Sequence, residues 1–299
     1  IMSPLCGPAC TGFRGQYLGG TEPEGMFSCM AVAPNVPAMA GGKPKSTTQQ
    51  GPRLDKPKAK RSRARKEPGV VDKILAPYRW FVKWGFRAGL ALIVVGLVIV
   101  GLFGVVNPPT THTMWSEGRR LGLPVDQVWV DAEQIAPVMF RSAVAAEDAN
   151  FCLHWGFDVE AIQAAIEAGG SRGASTISQQ VVKNVFLWQE RSWFRKGMEA
   201  VLTPVSEAMW SKRRILELYL NVAEFDEGVF GVQAAARHYF GVNARDLSAL
   251  QAARLAAVLP SPKTRSASNP SNFVDRRARS IRGGAETINQ DGRAACFQN

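Results

Sequence analysis

The sequence predicts a mainly α-helical protein in which one apolar helix precedes a helical domain. Two observations support this class. The nineteen residues 88–106 contain no charged or strongly polar side chain. After them, apolar residues recur at helical spacing between recognisable caps, whereas alternation typical of a strand is confined to short pieces near Gln127–Val130.

The first seventy residues predict a disordered, basic tail. They are rich in Gly, Pro, Ser and Lys and show no apolar periodicity. Such a segment cannot bury enough apolar surface to offset the entropy of ordering its chain. We therefore expect residues 1–70 to lie outside the folded part.

The apolar stretch 88–106 predicts a single transmembrane helix. At about 1.5 Å per residue it is roughly 28 Å long, close to the hydrocarbon thickness of a bilayer. A buried core helix and the apolar part of a signal peptide are the alternatives, and both are usually shorter.

Charge sets the orientation that we expect. Residues 1–87 carry fifteen Lys/Arg and five Asp/Glu, whereas residues 88–299 carry twenty-one and twenty. Because basic residues stay on the cytoplasmic side, the N-terminus should be inside and the larger domain outside. A nucleic-acid-binding domain would carry its basic excess on a folded surface, so this nearly neutral domain is not predicted to bind nucleic acid.

Helix signals continue through the domain. Pro137 suits the first turn of one helix, and Ser175 or Thr176 can cap another. A longer helical pattern runs over 195–221, and Pro204 should kink or interrupt it.

The last predicted helix of this series starts at Asp246 or Ser248 and ends before Pro260. Five cysteines occur, of which Cys152 and Cys296 lie in the exported part, and their pairing stays open. Cys152 as a nucleophile is a weaker alternative to a packing role. No Cys/His spacing typical of zinc occurs, so no metal-ligand set is predicted.

Two carboxylates mark the first candidate site. Glu147 and Asp148 end a predicted helix and are followed closely by the aromatic residues Phe151 and Trp155. Apolar surroundings disfavour the charged form of a carboxyl group, which raises its pKa and makes it a better proton acceptor. The alternative is an acidic helix end that only contacts solvent.

A donor-rich helix face marks the second candidate site. Thr176, Gln180 and Lys183 share one face of the helix that follows Ser175. Amides and a lysine suit sugar hydroxyls and phosphate oxygens. The basic residues of 191–196 follow, with Glu199 four positions after Arg195. The alternative is a solvated face with an Arg–Glu pair that contributes about 0.3–0.5 kcal/mol.

Five segments carry a resemblance to a known family. They are EDANFCLHWG (147–156), GASTISQQVVKN (173–184), RKGME (195–199), KRRILELYLN (212–221) and EGVFGVQAAARHYF (227–240). In this order they resemble the peptidoglycan glycosyltransferases of the penicillin-binding-protein type, over residues 115–275. LHWGFD and YLNVAEF look most like the monofunctional members, and no SxxK transpeptidase motif occurs.

The resemblance implies a lysozyme-like glycosyltransferase domain over residues 115–275. Residues 276–299, which the resemblance does not cover, are expected to form a C-terminal tail. It implies polymerisation of lipid II, a disaccharide-peptide on undecaprenyl pyrophosphate, into β-1,4 glycan with inversion and release of undecaprenyl pyrophosphate. Glu147 would be the general base, and Glu199 a second catalytic residue. The implied substrate-binding residues are Ser175, Gln179, Gln180, Lys183, Arg191, Arg195 and Lys196.

The same resemblance implies a bacterial inner-membrane protein with a periplasmic catalytic domain. Its partners would be lipid II, the nascent glycan strand and proteins of cell-wall synthesis or division. Mg²⁺ is a candidate cofactor beside the basic side chains. Asp226 stands where the family often has Gly, so a turn with positive φ would be strained there. A glycan-cleaving lytic enzyme and an idle membrane scaffold are the alternatives.

Overall fold

The computed structural model describes residues 69–169, 173 and 175–298. The predicted tail therefore lies almost wholly outside the described residues. The described part is mainly helical, as predicted. Its α-helices are α1 Val70–Phe103, α2 His112–Leu121, α3 Pro137–Glu147, α4 Val159–Glu167, α5 Ile177–Phe186, α6 Trp193–Met209, α7 Lys212–Val222, α8 Val232–Phe240, α9 Ala249–Val258, α10 Asn272–Gln290 and α11 Ala295–Gln298.

Helix α1 is longer than the predicted span and ends earlier. Its apolar part covers Pro77–Phe103, which is 27 residues and long enough to cross a membrane at about 40 Å. The prediction began at residue 88 because Arg79, Lys83 and Arg87 are charged. Charge limits the apolar stretch but does not end a helix, so α1 continues upstream through these residues.

The carboxyl end of α1 is attached to the domain. Trp210 donates its indole N–H to the Val100 carbonyl oxygen at 2.7 Å. The guanidinium group of Arg214 donates to the carbonyl oxygens of Phe103 and Val106 at 3.1 and 3.0 Å. These side chains donate to carbonyl oxygens at or just beyond the end of α1. Because the helix stops there, no backbone N–H of a following turn is available to these oxygens.

The core forms where α3, α9 and α10 pack together. Helix α9 is buried around most of its circumference, and alanines at 252, 253, 256 and 257 have no measurable exposure. Such small side chains let neighbouring helices approach closely. From α3, Met139 and Phe140 fill the remaining space, so the helix that ends at Glu147 is fixed by dense packing.

Helix starts agree with the sequence signals, but of the kink or interruption expected at Pro204, the interruption does not occur. Pro137 is in the first turn of α3, and Thr176 and Ser248 cap α5 and α9. Helix α6 continues through Pro204 and ends at Met209. Pro204 lies on the exposed side of α6, where water can take the place of the backbone bond that proline cannot make.

A small sheet joins β1 Asp126–Gln127, β3 Val229–Phe230 and β2 Glu224–Asp226 in that order. The first pair is parallel and the second antiparallel. Asp226 ends strand β2, and the positive φ of 73° belongs to Gly228. The expected strain at Asp226 is therefore wrong: its carboxylate instead accepts a 2.8 Å hydrogen bond from the Tyr239 hydroxyl.

Residues 276–299 do not form the predicted tail over their described part. Helix α10 runs to Gln290 and buries apolar residues at 274, 278, 281, 285 and 288. A disulfide joins Cys152 to Cys296 in α11, which answers the pairing question. By chain entropy, a bridge across 144 positions stabilises the fold by about 5 kcal/mol.

Candidate active site

Glu147 ends α3 and contacts α5. The side-chain amide of Gln180 donates to Glu147 Oε2 at 3.0 Å, and the Tyr219 hydroxyl donates to Gln180 Oε1 at 3.4 Å. Burial raises the pKa of the Glu147 carboxyl, while the Gln180 hydrogen bond and the charges of Arg277 and Arg265 oppose that rise. A raised pKa suits a group that must accept a proton.

Asp148 has a different environment from its neighbour. Its Oδ2 accepts the backbone N–H of Ile177 at 3.0 Å, and its Oδ1 lies 2.8 Å from His154 Nε2. Both oxygens are therefore engaged with protein groups, one of them at the first turn of α5. Asp148 joins the segment after α3 to the start of α5, whereas Glu147 contacts α5 through its bond to Gln180.

The start of α5 is fixed by its own side chains. Thr176 and Gln179 form a capping box, with bonds of 3.1 and 3.3 Å. The Thr176 hydroxyl also donates to the Gly156 carbonyl oxygen at 2.6 Å. Gly156 has a φ of 81°, and an added Cβ would lie 2.5 Å from Thr203 Cγ2. Only glycine fits this close approach between the segment after α3 and α6.

A recess of about 210 Å³ gathers the predicted substrate-binding residues. Helix α5, the segment after it and the first two turns of α6 form its walls. Its lining residues are Ser175, Gln179, Gln180, Lys183, Arg191, Arg195, Lys196 and Glu199. The structure therefore brings together all of the predicted binding residues and Glu199, while Glu147 lies next to the recess through its bond to Gln180.

Glu199 is buried between two cations. Its Oε1 pairs with Arg195, and its Oε2 lies 2.8 Å from Lys196 Nζ. The Arg195 Nε also donates to the Glu190 carbonyl oxygen at 2.8 Å. Because both carboxylate oxygens are taken by cations, this geometry favours a role in orienting the basic side chains rather than in accepting a proton.

The recess holds more positive than negative charge. Four basic side chains surround one carboxylate, and neither Lys183 nor Arg191 has an ion pair or side-chain hydrogen bond within the described residues. Burial lowers the pKa of Lys183, and the nearby charges of Arg195 and Lys196 lower it further. An anionic ligand would relieve this repulsion, so the recess suits a pyrophosphate group.

A larger cleft of about 460 Å³ adjoins the recess, and Gln180 and Lys183 line both. On its far side Glu117 accepts a 2.6 Å hydrogen bond from Lys263 Nζ. A hydrogen bond from Arg120, with help from Lys263, lowers the pKa of Glu117 to about 2. The far wall of the cleft is therefore an ion-paired surface that carries a permanent carboxylate.

Comparison with known proteins decides the family. A family model described as Transglycosylase matches residues 118–284. A biosynthetic peptidoglycan transglycosylase of Jannaschia sp. strain CCS1 is 56% identical over 243 residues, which cover 81% of this chain and 100% of that protein. The chain belongs to the transglycosylase family. A second relative of that name, from Pseudomonas fluorescens strain SBW25, is 49% identical over 222 residues, or 71% of this chain and 89% of its own.

Membership makes this chain a glycosyltransferase enzyme of peptidoglycan synthesis. The predicted class and family are thereby confirmed. One long apolar helix near the N-terminus fits a transglycosylase that is anchored in a membrane.

The far wall of this transglycosylase cleft was not predicted from the sequence. Glu117 and Lys263 are 146 positions apart, and neither belongs to a sequence motif that predicts an ion pair between them. Arg265 and Arg277, whose charges act on Glu147, were missed for the same reason. The sequence around Lys263 gives only a weak sign of a functional residue, because the lysine follows two prolines and precedes a polar loop.

The residues of the recess do not fit a resident Mg²⁺ ion. Mg²⁺ prefers oxygen ligands, yet among the described residues that line the recess Glu199 is the one carboxylate, and both its oxygens are paired. Asp148, His154 and Asp158 form a separate cluster within the described residues. Asp148 and Asp158 there already accept hydrogen bonds from backbone N–H groups.

Proposed function

We propose that this transglycosylase polymerises lipid II into β-1,4 glycan strands with Glu147 as the general base. The observation that supports this most strongly is the contact between a carboxyl group of raised pKa and a helix that also lines a cation-rich recess. The donor's pyrophosphate binds in the recess, and the acceptor's sugar lies in the adjoining cleft near Glu147.

The acceptor hydroxyl is activated first. A sugar hydroxyl is a poor nucleophile until a base within hydrogen-bonding distance removes its proton. Glu147 takes the proton of the acceptor's 4-hydroxyl as that oxygen attacks the anomeric carbon of the donor. Attack from the face opposite the pyrophosphate inverts the configuration at that carbon and gives a β linkage.

The leaving group departs as an anion. Undecaprenyl pyrophosphate needs charge neutralisation more than protonation, and four basic side chains of the recess supply it. Lys183 and Arg191 have no counter-ion within the described residues, so they are free to bind the phosphates. Glu199 keeps Arg195 and Lys196 in place without neutralising the whole recess.

The membrane helix suits a lipid-linked substrate. Helix α6 carries Arg195, Lys196 and Glu199 near its start and lies against the end of α1 through Met209 and Trp210 at its other end. A short rigid helix thus links the recess to the membrane span. We place the span in the bacterial inner membrane, with the N-terminus in the cytoplasm and the catalytic domain in the periplasm.

We propose no cross-linking activity, because the 299 residues contain no SxxK motif for a transpeptidase nucleophile.

The direct test incubates the full-length, detergent-solubilised protein with labelled lipid II and follows polymer by gel electrophoresis. Growth of polymer with release of undecaprenyl pyrophosphate is expected. Cleavage of finished glycan without consumption of lipid II would instead identify a lytic enzyme, and no reaction with either would identify a scaffold.

A further inference from the structure

The C-terminal segment lies against the loop that follows Glu147. The family match ends at residue 284, so the segment 285–298, called here the C-terminal clamp, lies beyond it. The loop 148–156, called here the base loop, connects α3 towards α4 and begins directly after Glu147. Contacts between these two segments join the far end of the chain to the proposed base.

Three contacts tie the clamp to the base loop. The disulfide joins Cys152 to Cys296. The Arg293 guanidinium donates to the Ala149 carbonyl oxygen at 3.2 Å. The rings of Phe151 and Phe297, both fully buried, lie 6.4 Å apart.

One further contact comes from α10, the helix that leads into the clamp. Arg277 donates to the carbonyl oxygen of Ala146 at 3.2 Å, one residue before Glu147. The backbone is therefore held by α10 just before the base and by the clamp just after it. These contacts are made to the backbone and to side chains of the base loop, and they restrain the position of Glu147 without a hydrogen bond to its carboxyl group, on which Arg277 acts only by charge.

The outer side of the base loop has little packing of its own. Leu153 and Trp155 are 72% and 68% exposed. Asp148 of this loop also accepts the first N–H of α5, the helix that presents Gln180 to Glu147. Movement of the loop would consequently displace both the base and its hydrogen-bond donor.

We propose that the C-terminal clamp is a positioning device for Glu147 and that it holds the base in place only while Cys152 and Cys296 are joined. The proposal rests on the proposed role of Glu147. Formation of the bond removes two electrons and two protons from the two thiols, and a dithiol–disulfide oxidant outside the cytoplasm accepts them. A dithiol reductant returns both electrons and both protons and frees the loop.

The test measures turnover of the full-length enzyme on lipid II with and without the bond. Cys152→Ser/Cys296→Ser and the wild type reduced with dithiothreitol are assayed at a temperature where circular dichroism shows both folded. We expect kcat to fall about 10-fold or more in both, because small displacements of a catalytic group are costly. KM should change little, and dithiothreitol should have no effect on the double variant.

The pH profile separates positioning from mere stabilisation. A looser base loop exposes Glu147 to water, so the rising limb of kcat should move to lower pH. Unchanged kcat and an unchanged limb in the folded, reduced enzyme would overturn the proposal, even if its melting temperature falls.

A matched pair on α10 provides a test that keeps the disulfide. Arg277→Ala removes the donor to Ala146 and also a charge that lowers the pKa of Glu147, so kcat is compared on the pH plateau where Glu147 is fully deprotonated. On that plateau Arg277→Ala should lower kcat, whereas Arg279→Ala, which removes an exposed pair with Asp275, should not. Equal kcat for the two variants would also contradict the clamp. Failure here leaves intact any loss of activity in Glu147→Gln, so the two proposals are tested separately.

Discussion

Gln180 donates a hydrogen bond of 3.0 Å to Glu147, across 33 positions of sequence. This bond connects the end of α3 to a helix that also carries Lys183, and Lys183 lines both the cleft and the recess. It also favours the charged form of Glu147 and so opposes the effect of burial on its pKa. Helix α5 therefore connects the proposed base, which ends α3, to the proposed leaving-group site.

Replacing Gln180 should shift the pH dependence of turnover. In Gln180→Leu the carboxylate of Glu147 loses its donor, so its pKa rises further. Since the base must be deprotonated, the rising limb of kcat against pH should move to higher pH. Gln251→Ala, which removes a capping glutamine from α9, is the control and should leave the limb where it is. A shift to lower pH in Gln180→Leu would contradict this assignment.

Lys183 should set part of the alkaline limb. In the ligand-free enzyme its pKa is lowered by burial and by neighbouring cations, so the falling limb of kcat/KM, which reports the free enzyme, should lie below the usual range of lysine. Arginine keeps its charge to higher pH than lysine, so in Lys183→Arg the falling limb should move to higher pH. Lys183→Ala should lower turnover by about 10²–10³, the usual effect of removing such a contact. Near-normal turnover in Lys183→Ala would mean that Lys183 belongs to a solvated helix face and does not bind the leaving group.

The pairing of Glu199 should appear in stability. Glu199→Ala leaves the buried Arg195 without its counter-ion and should reduce the free energy of unfolding by about 3–5 kcal/mol. Lys196→Ala removes the more exposed partner and should cost about 1 kcal/mol or less. Urea denaturation measures both. Equal losses in the two variants would show that burial of the Arg195–Glu199 pair does not determine its contribution to the free energy of unfolding.

The orientation of α1 can be measured with fusions. A reporter that is active only outside the cytoplasm should work when it is fused after residue 299 and stay silent near Arg65, because the basic excess precedes the span. The opposite result would reverse the proposed topology.

The helical class and the helix starts were predictable because their signals are local. A proline in a first turn and Thr176 and Ser248 at caps each act within four residues of themselves. The order of the sequence motifs also led to the family. What they could not give is the geometry between them, such as the use of both Asp148 oxygens by protein groups.

The errors have physical causes as well. Pro204 is tolerated because it lies on the exposed side of α6. Helix α10 carries a local signal of its own, because apolar residues from Val274 to Ile288 are spaced four and three apart, as in a helix packed on one side. Glu117 and Lys263 meet only after folding, so no local pattern could join them.

The most direct test of Glu147 as the base is turnover of Glu147→Gln on lipid II. The amide keeps the size of the side chain but cannot accept the proton of the acceptor's hydroxyl. A positioned base contributes about 10²–10⁴ in rate, so polymerisation should fall at least 10²-fold. Binding of a pyrophosphate-mimicking phosphoglycolipid should persist, because the recess is unchanged. Polymerisation at the wild-type rate by a folded Glu147→Gln enzyme would contradict the assignment of Glu147 as the base.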